Sequence, residues 1–178
     1  MTSSAAGAAM TLDEFETAVQ SLLNSVSAMT LATSADGRPW AADVYFAASG
    51  YELVFFSSPA SRHSRNLAAN SRCAATVHPS AASWREIKGL QMEGTAECMT
   101  GAEATAHALL VYGAKFPFAR DLMANPLEMG KKAMNVKAHM FRPECIHYLD
   151  NALGFGTRFS LRVENGKASG MPERDTGH

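Results

Sequence analysis

The sequence predicts a mainly β, antiparallel α+β or barrel fold, and three observations carry that prediction. Many short segments alternate apolar and polar residues. Turn signals separate them at close intervals, and helical segments are inserted without strict strand–helix alternation. A doubly wound parallel sheet would need a helix after nearly every strand. The length of 178 residues suits one domain with a substantial core. That domain is expected over residues 11–165, after a disordered start (1–10) and before a mobile polar tail (166–178).

The elements follow in order. Thr11 or Asp13 can cap a helix whose Phe15, Val19, Leu22, Leu23 and Val26 recur at helical spacing. "AMTLATS" then leads into Asp36-Gly37, a strong hairpin signal. In the next strand Trp40, Ala42, Val44 and Phe46 point one way, and Asp43 and Tyr45 the other. A turn at Ser49-Gly50 introduces "YELVFFSS", completing a meander. Ser58 as cap and Pro59 at the first helical position predict a short helix ending near Asn70. "RCAATVHP" reads as a strand. The clearest alternation sets Leu90, Met92, Gly94, Ala96 and Cys98 against Gln91, Glu93, Thr95 and Glu97. "GAEATAHALLVYGAKFPFARDLM" reads as helical, with Leu109, Leu110 and Met123 as apolar contacts and Pro117 breaking it in two. Strands around "CIHYLD" and "TRFSLRV" flank a glycine turn, "NALGFG".

Composition narrows the function classes. Hydrophobic residues make up 47% and charged residues 19%, ordinary values for a globular protein. A net charge of −1 supplies no basic field for nucleic acid or an anionic membrane, so neither partner is expected. Cys73, Cys98 and Cys145 are widely spaced without a CxxC pair, which suggests neither a zinc site nor a disulfide framework. The opening residues lack a secretory pattern and no apolar run is long enough to span a bilayer, so a cytoplasmic location is expected.

The stretch "FFSSPASRHSRNL" carries the most chemistry. A strand ends in Ser57 and Ser58, a helix start follows with its unpaired amides, and Arg62 sits in the first turn. Hydroxyl donors, free amides and a guanidinium fork together suit a phosphate group. The competing reading is a plain cap with Arg62 and Arg65 on a solvated face. His63 adds one donor when neutral and two when protonated. His78, His107, His139 and His147 show no metal-ligand spacing, no G-x-S-x-G is present, and "GFG" lacks a phosphate-loop framework. Trp40, Tyr45, Phe46, Phe55 and Phe56 are expected in the core, with some able to line a flat ring.

Taken in order, "MTLATSADGRPWAADVYFAASGYELVFFSSPASRHSRNLAANSRCAATV" resembles the amino-terminal half of pyridoxamine 5′-phosphate oxidase and its flavin-binding relatives. The shared plan is two hairpins, a strand ending in aromatic-plus-hydroxyl, "SR" with a basic residue, and "N-L-x-x-N". "IKGLQMEG", "KFPFARDL" and "DNALGFG" look like a narrower branch of that superfamily. The resemblance covers roughly Ala28 to Val163. It implies a six-stranded antiparallel split β-barrel with flanking helices, forming a homodimer with FMN in the clefts between subunits. By position, Asp43, Val44, Tyr45 and Phe46 would lie along the isoalloxazine, and Phe56, Ser57 and Ser58 near the ribityl chain and phosphate. Arg62 and His63 would form the basic phosphate pair, and Gln91 would reach the flavin from the partner subunit.

The chain departs from the oxidase pattern, since the family carries an arginine near Ala42, a lysine near Ala47 and usually a lysine where His63 stands. Each lost charged hydrogen bond is worth about 1.5–3 kcal/mol. The carboxy-terminal Arg-x-His-type segment that grips pyridoxamine phosphate is not found, so that oxidation is not expected. The leading expectation is an FMN-dependent oxidoreductase with no residue nominated as acid or base. The alternative is a non-catalytic flavin carrier or a haem-binding protein on the same barrel, with His63 as the nearest candidate ligand.

Overall fold

The computed structural model describes residues 9–119 and 135–175. Helix α1 (Leu12–Ser25) is followed by the strands β1 (Ala28–Ala35), β2 (Arg38–Ser49) and β3 (Glu52–Ser57). Then come α2 (Arg62–Ala69), β4 (Arg72–Val77), β5 (Lys88–Cys98), α3 (Ala102–Lys115), β6 (Lys137–Asp150), β7 (Arg158–Glu164) and β8 (Lys167–Arg174). All strand pairings are antiparallel, in the order β3-β2-β1-β4-β5-β6-β7-β8, and β3 also pairs with β6. That extra pairing closes β1 to β6 into a six-stranded barrel, with β7 and β8 as a ribbon attached to β6. The expected α+β class and barrel hold; two strands extend it beyond the six expected.

Strand β6 makes the split. Its first part, Lys137–Phe141, pairs with β3, and its later part, Cys145–Leu149, pairs with β7. A bulge between Glu93 and Gly94 accompanies the change of partner. Gly94 is obligatory there, because a Cβ would run into the Arg142 carbonyl. Asp36 and Gly37, at φ 51° and 69°, form the two-residue turn between β1 and β2 that their sequence predicts.

The helices α1 and α2 sit at opposite ends. Thr11 caps α1 through a reciprocal capping box with Glu14. Phe15, Val19, Leu22 and Leu23 are buried in the same cluster as Met29, Leu31, Phe46, Phe55, Leu90 and Phe141 of the barrel. Gln20 donates to the Gly50 carbonyl at 3.0 Å, which anchors α1 beside the β2–β3 turn. Lys115, from the end of α3, donates to the carbonyls of Leu23 (2.7 Å) and Val26 (2.6 Å) and so closes the exit of α1.

Four expectations are corrected. Helix α2 begins at Arg62 with Ser61 as its cap, not at Pro59, because the Ser61 hydroxyl reaches the Ser64 amide. The Ser58 hydroxyl instead accepts from the Ala60 amide within a turn. The polar tail from Gly166 is a strand over Lys167–Arg174, paired to β7, rather than mobile. Leu110 is 75% exposed, so it is not an apolar contact. Trp40 and Tyr45 are exposed rather than core; Trp40 meets the Arg62 guanidinium and Tyr45 the Phe116 ring, and neither joins the barrel cluster. Met123 and residues 1–8 lie outside the described residues. Among the described residues no helix is long and apolar enough to cross a membrane, and no cluster of His, Cys, Asp and Glu is arranged to hold a metal ion.

Candidate functional site

The end of the barrel beneath α2 is polar. Strand β3 alternates, so Leu53, Phe55 and Ser57 face inward, and Ser57 is the last of them. Its hydroxyl lies 3.1 Å from the Ser61 hydroxyl and 2.5 Å from His63 Nε2. Ser61 in turn donates to Ser64 at 2.8 Å. Deeper in the same cup, Asn66 donates to the Thr33 hydroxyl at 3.1 Å, and both are buried. The amides of Arg62 and His63, in the first turn of α2, have no acceptor inside the helix.

Around this chain of hydroxyls sit four basic groups. The Arg62 guanidinium lies 4.5 Å above the Trp40 ring, a cation–π contact that holds it at the mouth of the cup. Arg62 pairs with no carboxylate among the described residues. Burial pulls the His63 imidazole below its ordinary value, so it is neutral at pH 7 and shares one hydrogen with Ser57. His139 is buried and stacked on Phe55 at 5.0 Å. Its own value is lowered chiefly by burial and further by nearby His63, against the bond to the Lys137 carbonyl. Lys137, opposite Ser57 in the β3–β6 register, is exposed.

Beside the cup lies an aromatic wall on the outside of the barrel. Phe56 meets Tyr112 edge-on at 5.0 Å, and Tyr45 meets Phe116 edge-on at 5.8 Å. A cleft of about 630 Å³ is lined by Phe56, Met99, Thr105, Lys137 and Ala138, among others. A second, of about 400 Å³, is lined by Ser64, Leu67, Glu97 and His139. Volumes of this order accommodate a cofactor-sized molecule.

The structure thus gathers Ser57, Arg62 and His63, with Phe56 and Tyr45 on the adjoining wall. The Val44 and Phe46 side chains are 7% and 0% exposed inside the barrel, so these two positions offer a ligand their backbone. Ser58 stands one residue beyond the cup, spent on its own turn. Asp43 and Gln91 sit elsewhere, on one polar row over the outer face: Asp43, Thr30, Thr76, Gln91, His147 and Ser160 occupy facing register positions. Sequence reasoning missed Ser61, Lys137 and His139. Ser61 was discernible as the last serine of "SSPAS", three residues before Ser64.

Fit to a phosphate is good: two hydroxyls and an imidazole meet at the start of α2 beside its free amides, and the exposed Arg62 belongs to the same first turn. Fit to a haem iron at His63 is poor, since Nε2 of that ring is already bonded to Ser57. Ala47 is buried between β2 and α3, so a family-type lysine has no room there. Lys137 brings a cation to the cup from a different strand.

A closed antiparallel split barrel with a polar cup under its second helix is the class that fold and site define. The family model described as pyridoxamine 5′-phosphate oxidase matches residues 15–140, and the chain belongs to that family. A UPF0306 protein of Klebsiella pneumoniae (strain 342) is 27% identical over 146 residues, covering 81% of this chain and 90% of that protein. A heme-binding protein from Mycobacterium smegmatis superposes with a TM-score of 0.65 at 21% identity, covering 82% of this chain and 56% of that one. The chain therefore spans little more than half the length of that structure. An FAD-binding protein from Mesorhizobium loti gives a TM-score of 0.57 at 19% identity, covering 71% and 88%. At these identities the two structures show the shared fold.

Proposed function

We propose that the protein binds FMN and works as a flavin-dependent oxidoreductase, with one flavin in each cleft of a homodimer. The observation that carries this reading is the convergence of Ser57, Ser61, His63 and Arg62 on the first turn of α2, beside the wall of Phe56 and Tyr45. The cup would hold the phosphate, and Arg62 would swing from Trp40 or clamp the phosphate while stacked. Tyr45 and Phe56 would cover one face of the ring and exclude water from it. Lys137 would add charge near the phosphate, offsetting the neutral His63. FMN, when bound, supplies hydride and electron transfer; the protein supplies position and electrostatics.

Association of two copies would use the outer face of β1, β2 and β4, where Ala41, Ala32 and Ala74 stand at facing positions and leave a shallow, smooth strip. Gln91 borders that strip, and Asp43 lies on it.

The experiment is a titration of purified protein with FMN, read by flavin fluorescence. Quenching at one FMN per chain supports the reading; no quenching, or a Soret band on adding haem instead, sinks it. Ala32→Arg should shift the mass in light scattering to a single chain.

A further inference from the structure

Away from the cup, on the outer face at the β6–β7–β8 end, a thiol, an imidazole and a carboxylate are joined in series. Cys145 and His147 lie two residues apart on β6 and so project from the same face. The Cys145 sulfur is 3.5 Å from His147 Nε2, and His147 Nδ1 is 3.0 Å from an Asp175 carboxylate oxygen just beyond β8. Asp175 accepts the hydrogen on Nδ1, which leaves the lone pair of Nε2 facing the thiol. Nothing in the flavin reading uses these three groups.

We propose that Cys145, His147 and Asp175 form a thiol-exchange site for a small, carboxylate-bearing disulfide. The thiol is the form present at neutral pH: burial first, then the carboxylates of Glu93 and Asp175, push it up against the opposing charge of Arg162. A base already aimed at the sulfur is what such a thiol needs to attack. Among the described residues neither of the other two sulfurs is bonded to an imidazole, although Cys98 stands opposite His139 in the β5–β6 register. The Cys98 sulfur points at the Met99 carbonyl, and burial pushes Cys73 up to about 12.

The preference for an anion comes from β7. Arg162 faces Cys145 and Arg158 faces Leu149 across the β6–β7 register, on the same outer side. Neither pairs with a carboxylate among the described residues, and Arg158 Nε is a buried nitrogen without a hydrogen-bond partner. A ligand carboxylate would pair with these unpaired guanidinium groups.

In the step itself, the Cys145 sulfur attacks one sulfur of the disulfide. The new S–S bond forms as the old one breaks, and the proton passes from Cys145 to His147 and on to the departing thiolate. The protein thiol becomes a mixed disulfide and one equivalent of small thiol is released. Asp175 is a positioning residue that holds the ring and its tautomer.

The test incubates the full chain with glutathione disulfide at neutral pH and follows adduct formation by intact mass and peptide mapping. One adduct at Cys145, formed faster than with the cationic disulfide cystamine, is expected. His147→Gln should slow it about 100-fold. Asp175→Asn should slow it as well, with partial rescue by Asp175→Glu. Iodoacetamide labelling of Cys73 and Cys98 should be the same in all variants, which separates lost chemistry from lost fold. An adduct at Cys98 instead, a rate unaffected by His147→Gln, or faster reaction with cystamine overturns the proposal.

Discussion

Helix α1 closes one end of the barrel with Phe15, Val19, Leu22 and Leu23, whereas α2 closes the other around Ser57, Ser61, Ser64, Asn66 and Thr33. Both are short amphipathic helices laid over the same six strands. One buries carbon and contributes stability; the other buries hydroxyls and amides that satisfy each other through specific bonds. A polar plug is a poor way to stabilise a small barrel, since each buried hydrogen bond nets only about 1 kcal/mol. The difference puts apolar packing at the α1 end and the joined polar groups at the α2 end.

The division can be broken from either side. Phe15→Ala should remove about 3–5 kcal/mol of stability in urea unfolding and leave FMN affinity unchanged in the folded protein. Arg62→Ala should do the reverse, with affinity falling roughly ten- to a hundredfold and the unfolding midpoint unmoved. A variant that lost both properties together would end the division of labour. Asn66→Ala sharpens the comparison from inside the cup: it strips the Thr33 hydroxyl of its partner and should cost about 1–3 kcal/mol. Thr11→Ala, which removes the capping box of α1, should cost about 1 kcal/mol.

A separate effect is electrostatic. Burial pulls the Lys115 ammonium down to about 8, although it bonds the α1 carbonyls and lies 3.9 Å from the Phe46 ring centroid. The folded chain therefore gives up this proton before the unfolded chain does, whose lysine holds it to about 10.4. This group's burden on the fold is present in full below pH 8 and is relieved between pH 8 and 10, so stability rises with pH there. Urea midpoints at pH 7.5 and 10 should show the rise in the native chain and not in Lys115→Met.

The sequence made the α1 end easier to read than the α2 end. Apolar residues at helical spacing and a threonine before them have one physical meaning, and α1 begins where they say. At the α2 end "SSPAS" offers three serines, and only the packing of the following helix decides that Ser61, not Ser58, is the cap. The start of β6 was illegible for a different reason. Ala138, His139, Met140 and Phe141 are all buried, because the strand has the barrel interior on one side and α3 near the other. A strand covered on both faces shows no alternation, so Lys137 and His139 could not be assigned to the site. Strand β8 hid in the opposite way, since its exposed polar residues, with a glycine and a proline, look like a tail.

The strand β6 also sets the order in which the molecule can be built. Its pairing with β3 brings together Phe55 and His139, more than eighty residues apart in the chain. Until that seam forms, β3 and β5 are open edges, and open edges invite pairing with other chains. During synthesis the first five strands must wait for the sixth, so closure is a late, slow step governed by loop entropy. The ribbon of β7 and β8 can add only to a β6 already in place. Chaperone demand should therefore be set by that seam.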